Sequence, residues 1–141
     1  MIVDGKIPRP LLRLPDGVLA TFISNWRRQG FTWEMVVDGP CMEPALKPGD
    51  VLRVAAETAP TTAGDIIVVR HRGRLCAHRV VRIDVEHGVR VFSTKGDRNS
   101  DIDRPRTGEY MVLGRVVAVR RPGGGGPTGG GPTGGGEPPP A

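Results

Sequence analysis

The hydrophobic pattern changes at Gly30, and this change limits what the rest of the chain can fold into. After it, short runs rich in β-branched residues follow one another with a period close to two and with no helical stretch between them. The runs are Phe31–Val37, Val51–Val54, Asp65–His71, Leu75–Ile83, Val89–Thr94 and Met111–Arg120. Gly73 and Gly88 fall where hairpin turns are expected. Strands without intervening helices pair antiparallel, so the sequence predicts a mostly β fold, a compact barrel or sandwich.

One amphipathic helix is predicted before the strands. Asp16 can cap its amino terminus, and Gly30 ends it. Its apolar residues recur at helical spacing and form one stripe, made of Val18, Leu19, Phe22, Ile23 and Trp26. The stripe predicts a helix docked on the core. The alternative is a helix in peripheral contact with a membrane surface, with Trp26 and two arginines at one end.

The sequence divides into three parts. Residues 1–30 hold an arm with three prolines and the helix, and residues 31–121 hold the β domain. Residues 122–141 contain 10 Gly and 6 Pro, a composition that cannot bury enough apolar surface to become ordered. We therefore expect a disordered tail, which is either a flexible tether or a dispensable end.

Several classes of protein are excluded by composition. No apolar run approaches the roughly 20 residues that cross a bilayer, and the start of the sequence lacks the apolar stretch of a secretory signal. With 2 Cys, the chain has too few thiols for a disulfide framework or a four-thiolate zinc site. We therefore expect a cytoplasmic protein with reduced thiols and no metal or cofactor. The net charge of +5 is scattered and aromatic residues are scarce, so nucleic acid is not an expected partner.

The first segment that could carry chemistry contains Cys41. Three prolines and the Gly49-Asp50 turn stiffen a loop that follows a predicted strand, and such a loop presents the thiol rather than burying it in the sheet. A thiol becomes a nucleophile when a base or a positive field removes its proton. Taken alone, this segment is equally consistent with a small buried cysteine.

Two further segments supply a candidate base and candidate acids. His78 lies in the middle of a predicted strand, on the same face as Cys76. The loop that follows the next strand holds three carboxylates, those of Asp97, Asp101 and Asp103. A buried carboxylate can hold a histidine in the right tautomer. Each segment also has a structural interpretation, as a histidine satisfied within its strand and as a polar turn. His71 and His87 fall near turns and are expected to be exposed.

Together these segments resemble the signal peptidase I superfamily, which also includes the LexA-type self-cleaving repressors. The residues similar to its nucleophile motif are Gly39-Pro40-Cys41-Met42-Glu43-Pro44, followed by Leu46 and Gly49-Asp50. Residues 64–69 are similar to the motif that follows, and residues 114–117 resemble the closing strand. Residues 78–81 and 95–103 resemble the base and acid motifs of the archaeal and endoplasmic-reticulum branch, which uses His where the bacterial enzymes use Lys. The resemblance covers residues 34–119 and implies a mostly β fold with a shallow substrate groove.

The resemblance also implies the residues of the site. Cys41 takes the position of the nucleophilic Ser, His78 that of the base and Asp103 that of the acid, with Asp97 as the second candidate acid. The implied substrate-binding residues, which flank the nucleophile, are Pro40, Met42 and Pro44. The chain departs from this branch in two ways, because it has Cys in place of Ser and no membrane anchor.

The sequence therefore predicts a soluble endopeptidase with a Cys-His-Asp triad that processes a dedicated peptide or protein precursor. The resemblance implies an extended substrate along a strand edge near Cys41, with small side chains at the cleavage-side pockets. Two alternatives stay open, a LexA-like regulator that cuts itself or a partner and a peptidase-like fold that binds peptides without cutting. Cys41 and Cys76 could in addition form a disulfide that switches the site off, the alternative being two free thiols.

Overall fold

The structure, a computed structural model, describes residues 9–122 and contains one α-helix and a seven-stranded sheet in this range. The helix, α1, spans Asp16–Arg28. The strands are β1 (Thr32–Val36), β2 (Val51–Ala55), β3 (Ile66–His71), β4 (Arg74–Glu86), β5 (Val89–Lys95), β6 (Thr107–Gly108) and β7 (Val112–Arg120). Short 3₁₀ turns span Arg9–Arg13 and Glu109–Met111. The predicted mostly β fold is confirmed, whereas the predicted disordered tail lies outside the described residues.

The sheet is antiparallel, in the order β1-β2-β7-β3-β4-β5-β6. Two-residue turns, Arg72-Gly73 and His87-Gly88, close the β3–β4 and β4–β5 hairpins, and all four residues have positive φ. This geometry is that of type I′ turns, whose twist matches that of the paired strands. The six predicted strands are confirmed. The sequence analysis missed β6, because two residues are too few to show a period.

Strand β3 lies between two apolar clusters. Ile66 and Val68 belong to the larger cluster, to which α1 contributes, and Ile67 and Val69 belong to a smaller cluster with Phe92. A strand that is buried on both faces has a continuous apolar sequence rather than an alternating one. This explains the unbroken run of aliphatic residues at positions 66–69.

Helix α1 is docked on the larger cluster. Leu19 and Ile23 are fully buried and Trp26 is nearly so. The buried stripe is narrower than the predicted one, because Val18 and Phe22 are 45% and 40% exposed. Among the residues described, no helix has the length and the apolar character needed to cross a membrane.

The start of α1 differs from the prediction. The helix begins at Asp16, so Pro15 and not Asp16 occupies the N-cap position, and no side chain caps the helix there. The Asp16 carboxylate instead forms an ion pair with Arg70 of β3, at 2.5 Å from Nη2. A carboxylate in the first turn also interacts favourably with the helix dipole.

The docking of α1 can be tested with two truncations on neighbouring faces of the helix. Ile23→Ala should lower the free energy of unfolding by about 2–5 kcal/mol, because it opens a cavity in the core. Val18→Ala should change it by less than about 0.5 kcal/mol, because this side chain is at the surface. Chemical denaturation followed by circular dichroism measures both values, and two equally small values would contradict the docked position of α1.

Candidate active site

The loop after β1 holds Cys41 at the surface by means of two buried anchors. Met42 and Leu46 belong to the larger cluster and are 1% and 0% exposed. Within the loop, the Leu46 amide donates to the Met42 carbonyl at 2.9 Å, and the Glu43 amide donates to the Pro40 carbonyl at 3.0 Å. These bonds form consecutive turns, so Cys41 is half-buried on a stiff loop, as the proline-rich sequence predicts.

A buried carboxylate fixes the far end of the same loop. Asp50 is 4% exposed and accepts a hydrogen bond from the Lys47 amide at 2.9 Å. Arg121 lies 3.4 Å from this carboxylate and also donates to the Ala45 carbonyl at 3.0 Å. Gly49, at φ +95°, takes a conformation that residues with a Cβ rarely adopt. The sequence analysis missed Arg121, because it lies far along the chain and shows no local signal.

Cys41, His78 and Asp103 lie in one hydrogen-bonded chain. The Cys41 Sγ is 3.1 Å from His78 Nε2, and His78 Nδ1 is 2.5 Å from Asp103 Oδ2. An ionised carboxylate can only accept, so Nδ1 carries the hydrogen and Nε2 presents its lone pair to the thiol. The imidazole is buried in the middle of β4. The structure thus brings together the sequence-predicted nucleophile, base and first-choice acid in the order that a triad needs.

Asp97, the second candidate acid, has a different partner. Its two carboxylate oxygens accept from Arg79 Nε and Nη2 at 2.9 and 2.7 Å. The hydrogen bond that Arg79 donates to Asp97 raises the pKa of Arg79, and Arg79 also donates to the Gly64 carbonyl at 2.8 Å. Successive strand residues point to opposite faces, so His78 and Arg79 reach different carboxylates of the same loop. Asp97 is thus held away from the imidazole, and Asp101 is exposed.

The loop that carries Asp97 and Asp103 also contacts the Cys41 loop through its backbone. The Arg98 amide donates to the Cys41 carbonyl at 2.8 Å, and the Asp97 amide lies 3.3 Å from the Met42 sulfur. A Cβ on Gly96 would lie 2.9 Å from the Cys41 carbonyl oxygen, closer than real contacts of this kind. The loops can approach this closely only because residue 96 is glycine.

The electrostatic environment favours the neutral form of the Cys41 thiol. Burial raises its pKa, and the carboxylates of Asp103, Asp38 and Asp97 add to the rise. Its own backbone amide acts in the opposite direction, because it donates to the thiolate. Burial likewise raises the pKa of Cys76. Burial and these carboxylates therefore keep Cys41 as a neutral thiol at rest.

A cleft of about 340 Å³ runs beside Cys41, between the end of β1 and the start of β4. Its apolar lining includes Met35, Val37, Leu46, Leu75 and Ala77. Of the three candidate substrate-binding residues, the structure places only Met42 in this lining, and Met42 is almost fully buried. Pro40 and Pro44 are exposed and lie outside the lining.

His71 lies beside a turn, as predicted, but it is not exposed, and nothing in the sequence indicated a role for Thr94. His71 ends β3, is half-buried and lines the cleft, whereas His87 is exposed as expected. Cys76 also lines the cleft, and both cysteines are free thiols. Thr94 donates from Oγ1 to Asp103 Oδ2 at 2.8 Å. A threonine in a strand is common enough that its sequence gives no signal for this contact.

No group of three His, Cys, Asp or Glu side chains within residues 9–122 lies close enough to hold a metal ion. The arrangement can therefore be described by its own side chains, as a thiol, an imidazole and a carboxylate in sequence beside an apolar cleft. Fold and site together define a peptidase-like β protein.

The family follows from a comparison with known sequences. The family model described as Peptidase S24-like matches residues 12–117, most of the chain and all of the site. The chain therefore belongs to the Peptidase S24-like family. This result supports the LexA and signal peptidase superfamily that the sequence motifs indicate, at the level of the superfamily. A comparison with curated proteins finds no match.

The raised pKa of Cys41 predicts a specific pH dependence of its alkylation by iodoacetamide, which reacts with the thiolate. In a Cys76→Ser background, the alkylation rate of Cys41 should rise with pH. Its midpoint should lie at higher pH in the native protein than in the same chain in denaturant, because the folded structure favours the protonated thiol. Peptide mapping by mass spectrometry gives the rates. A native midpoint below that of the denatured chain would indicate a resting thiolate–imidazolium pair instead.

Asp97 and Asp103 have different partners, so a substitution of Asp97 should change the stability of the protein more than the reactivity of Cys41. Asp97→Asn should lower the free energy of unfolding by about 1–3 kcal/mol, because it weakens the charged pair with Arg79. It should raise the Cys41 alkylation rate by no more than about two-fold, because Asp97 makes the smallest of the three carboxylate contributions to the thiol pKa. Asp101→Asn, at an exposed position, is the matched control for stability. If Asp97→Asn spared stability but slowed alkylation, Asp97 would belong beside the base.

Proposed function

We propose that this protein is a cysteine endopeptidase that cleaves a dedicated peptide or protein precursor. The observation that carries the proposal is the chain from the Cys41 Sγ through His78 to Asp103, with contacts of 3.1 and 2.5 Å. Membership of the Peptidase S24-like family supports peptidase chemistry in general. The cysteine nucleophile and the class of substrate are our additions.

The reaction starts from the neutral thiol. His78 Nε2 takes the proton from Cys41 Sγ as the sulfur attacks the carbonyl carbon of the scissile amide. Breaking of the carbon–nitrogen bond leaves a thioester on Cys41, and the imidazolium gives its proton to the departing amine. Water, deprotonated by His78, then attacks the thioester and releases the acid product and the thiol. Asp103 keeps the ring oriented and stabilises its cation at each stage.

The developing oxyanion needs hydrogen-bond donors. The backbone amide of Cys41 is the natural first donor, and it lowers the pKa of its own thiol by favouring negative charge there. Pro40, immediately before it, has no amide hydrogen and cannot be a second donor.

Two strand edges flank the cleft and suit an extended peptide. β1 is the outermost strand at one end of the sheet. Residues 74–79 of β4 pair with β3, whereas pairing with β5 begins only at residue 79. In an antiparallel pair of strands, hydrogen-bonded and non-hydrogen-bonded residue pairs alternate. Counted from His71–Arg74, the hydrogen-bonded pair that closes the hairpin, Leu75 and Ala77 belong to non-hydrogen-bonded pairs. Their backbone N–H and C=O groups therefore point away from β3. A peptide between the two edges could add main-chain hydrogen bonds on both sides.

The size and lining of the cleft restrict the substrate. About 340 Å³ is close to the lower limit for small-molecule sites, so it admits only a few side chains. Asp38, Arg72 and Arg74 border the cleft, but most of its exposed lining is apolar and favours small apolar side chains beside the scissile bond. A site that accepts few sequences is consistent with a dedicated client.

Self-cleavage is the alternative within the same family. It needs a segment of the chain to reach Cys41. Arg70 Nη1 donates to the carbonyls of Leu12 and Leu14 at 3.1 and 2.6 Å, which holds this part of the chain on β3. The contact disfavours residues 12–14 as the segment that is cut. An unchanged intact mass after long incubation would exclude efficient self-cleavage under the conditions used.

The proposal is tested with a mixture of synthetic peptides of varied sequence, incubated with the protein and read by mass spectrometry. Wild-type protein should cut a subset of peptides after small residues, and Cys41→Ala should cut none. His78→Ala should reduce kcat by about 10²–10⁴-fold, the usual effect of losing a general base. His87→Ala, at an exposed hairpin position, is the matched control and should retain full activity.

Cleavage that persists in Cys41→Ala would overturn the mechanism. A chain that binds peptides in the mixture but cuts none of them would instead be the non-catalytic, peptide-binding relative.

A further inference from the structure

Thr94 touches Asp103 through both its backbone and its side chain. Its Oγ1 donates to Asp103 Oδ2 at 2.8 Å, and its carbonyl accepts from the Asp103 amide at 2.8 Å. The oxygen that receives the hydroxyl is the one that His78 Nδ1 contacts at 2.5 Å. Thr94 is 3% exposed, so water does not compete freely for this hydroxyl.

Asp103 needs such a partner because of its place in the chain. It lies in the connection between β5 and β6, outside any strand, so strand pairing does not fix its side chain. Thr94 lies in β5 opposite Val80 of β4, two residues beyond His78. The strand that carries Thr94 is therefore the neighbour of the strand that carries the base. A β-branched threonine is also stiff about χ1, which makes its hydroxyl a fixed reference point.

We propose that Thr94 is a positioning residue of the active site, which holds the Asp103 carboxylate in register with His78. The hydroxyl donates to the carboxylate, and the Thr94 carbonyl fixes the backbone of the same aspartate. The carboxylate oxygen thereby faces Nδ1 and keeps the hydrogen on that nitrogen and the lone pair on Nε2. Thr94 acts through Asp103 and does not contact the reacting atoms. The effect on catalysis rests on the proposed function, whereas the effect on the imidazole does not.

The effect on the imidazole is measured by NMR, from the ¹⁵N shifts of the His78 ring. Wild type should show hydrogen on Nδ1. Thr94→Val keeps the shape of the side chain but removes the hydroxyl, and it should shift the ring toward a mixture of tautomers. Thr94→Ser restores the hydroxyl and should restore the wild-type shifts. Thr61→Val is the matched control, because Thr61 is equally buried and its hydroxyl has no hydrogen-bond partner in the described part of the chain.

The effect on chemistry is measured as the rate of Cys41 alkylation and of peptide cleavage. Thr94→Val should lower both about ten-fold, roughly what the loss of one hydrogen bond to a charged group costs. In an Asp103→Asn background, the same substitution should have no further effect, because its route to the thiol is already broken.

The outcomes separate this proposal from the peptidase assignment. Ring shifts that do not change in Thr94→Val, or rates that fall by the same factor with and without Asp103→Asn, would overturn the positioning role. If the ring responds to Thr94 while peptides stay uncut and Cys41 reactivity ignores His78, the positioning role stands and the peptidase proposal fails.

Discussion

The site depends on a close backbone contact between the loop that carries Asp97 and Asp103 and the loop that carries Cys41. The Arg98 amide bonds to the Cys41 carbonyl at 2.8 Å, and Gly96 passes that same oxygen at a distance that would exclude a Cβ. This contact aligns two segments that are more than 50 residues apart, and each is anchored separately, one by Met42 and one by β5. It links the loop of the carboxylate directly to the loop of the thiol, in addition to the contacts of Thr94 with Asp103. Glycine at position 96 makes this close approach possible.

The geometry of strand β4 determines which of the two aspartates meets His78. Adjacent residues in a strand point to opposite faces, so His78 and Arg79 cannot reach the same carboxylate. His78 meets Asp103, and Arg79 meets Asp97 in a bidentate pair. One loop thus supplies a carboxylate to each face of the strand. Because Arg79 binds Asp97, Asp103 is the carboxylate of this loop that meets the imidazole.

The sequence predicts features that depend on local patterns, but it does not predict contacts between residues that are far apart in the chain. Runs of β-branched residues predicted every strand of five residues or more, and motif order placed Cys41, His78 and Asp103 as candidates. The choice between Asp97 and Asp103 depends on which face of β4 each loop residue reaches, and spacing does not encode that. The partners of Asp50 and Asp103, which are Arg121 and Thr94, likewise follow from tertiary packing alone. Asp16 fits the N-cap preference, but Pro15 occupies that position and Asp16 pairs with Arg70 instead.

The burial of Cys41 accounts for the arrangement around it. A thiol that is exposed beside a cation ionises by itself and needs no base, whereas this thiol has a pKa raised by burial and by nearby carboxylates. Asp103, one of the carboxylates that raise the thiol pKa, also contacts the imidazole beside the thiol. In the reaction we propose, its negative charge opposes a resting thiolate and stabilises the imidazolium that forms during attack. The proposed site would thus keep the sulfur protonated until a substrate carbonyl is in place, which limits its alkylation and oxidation.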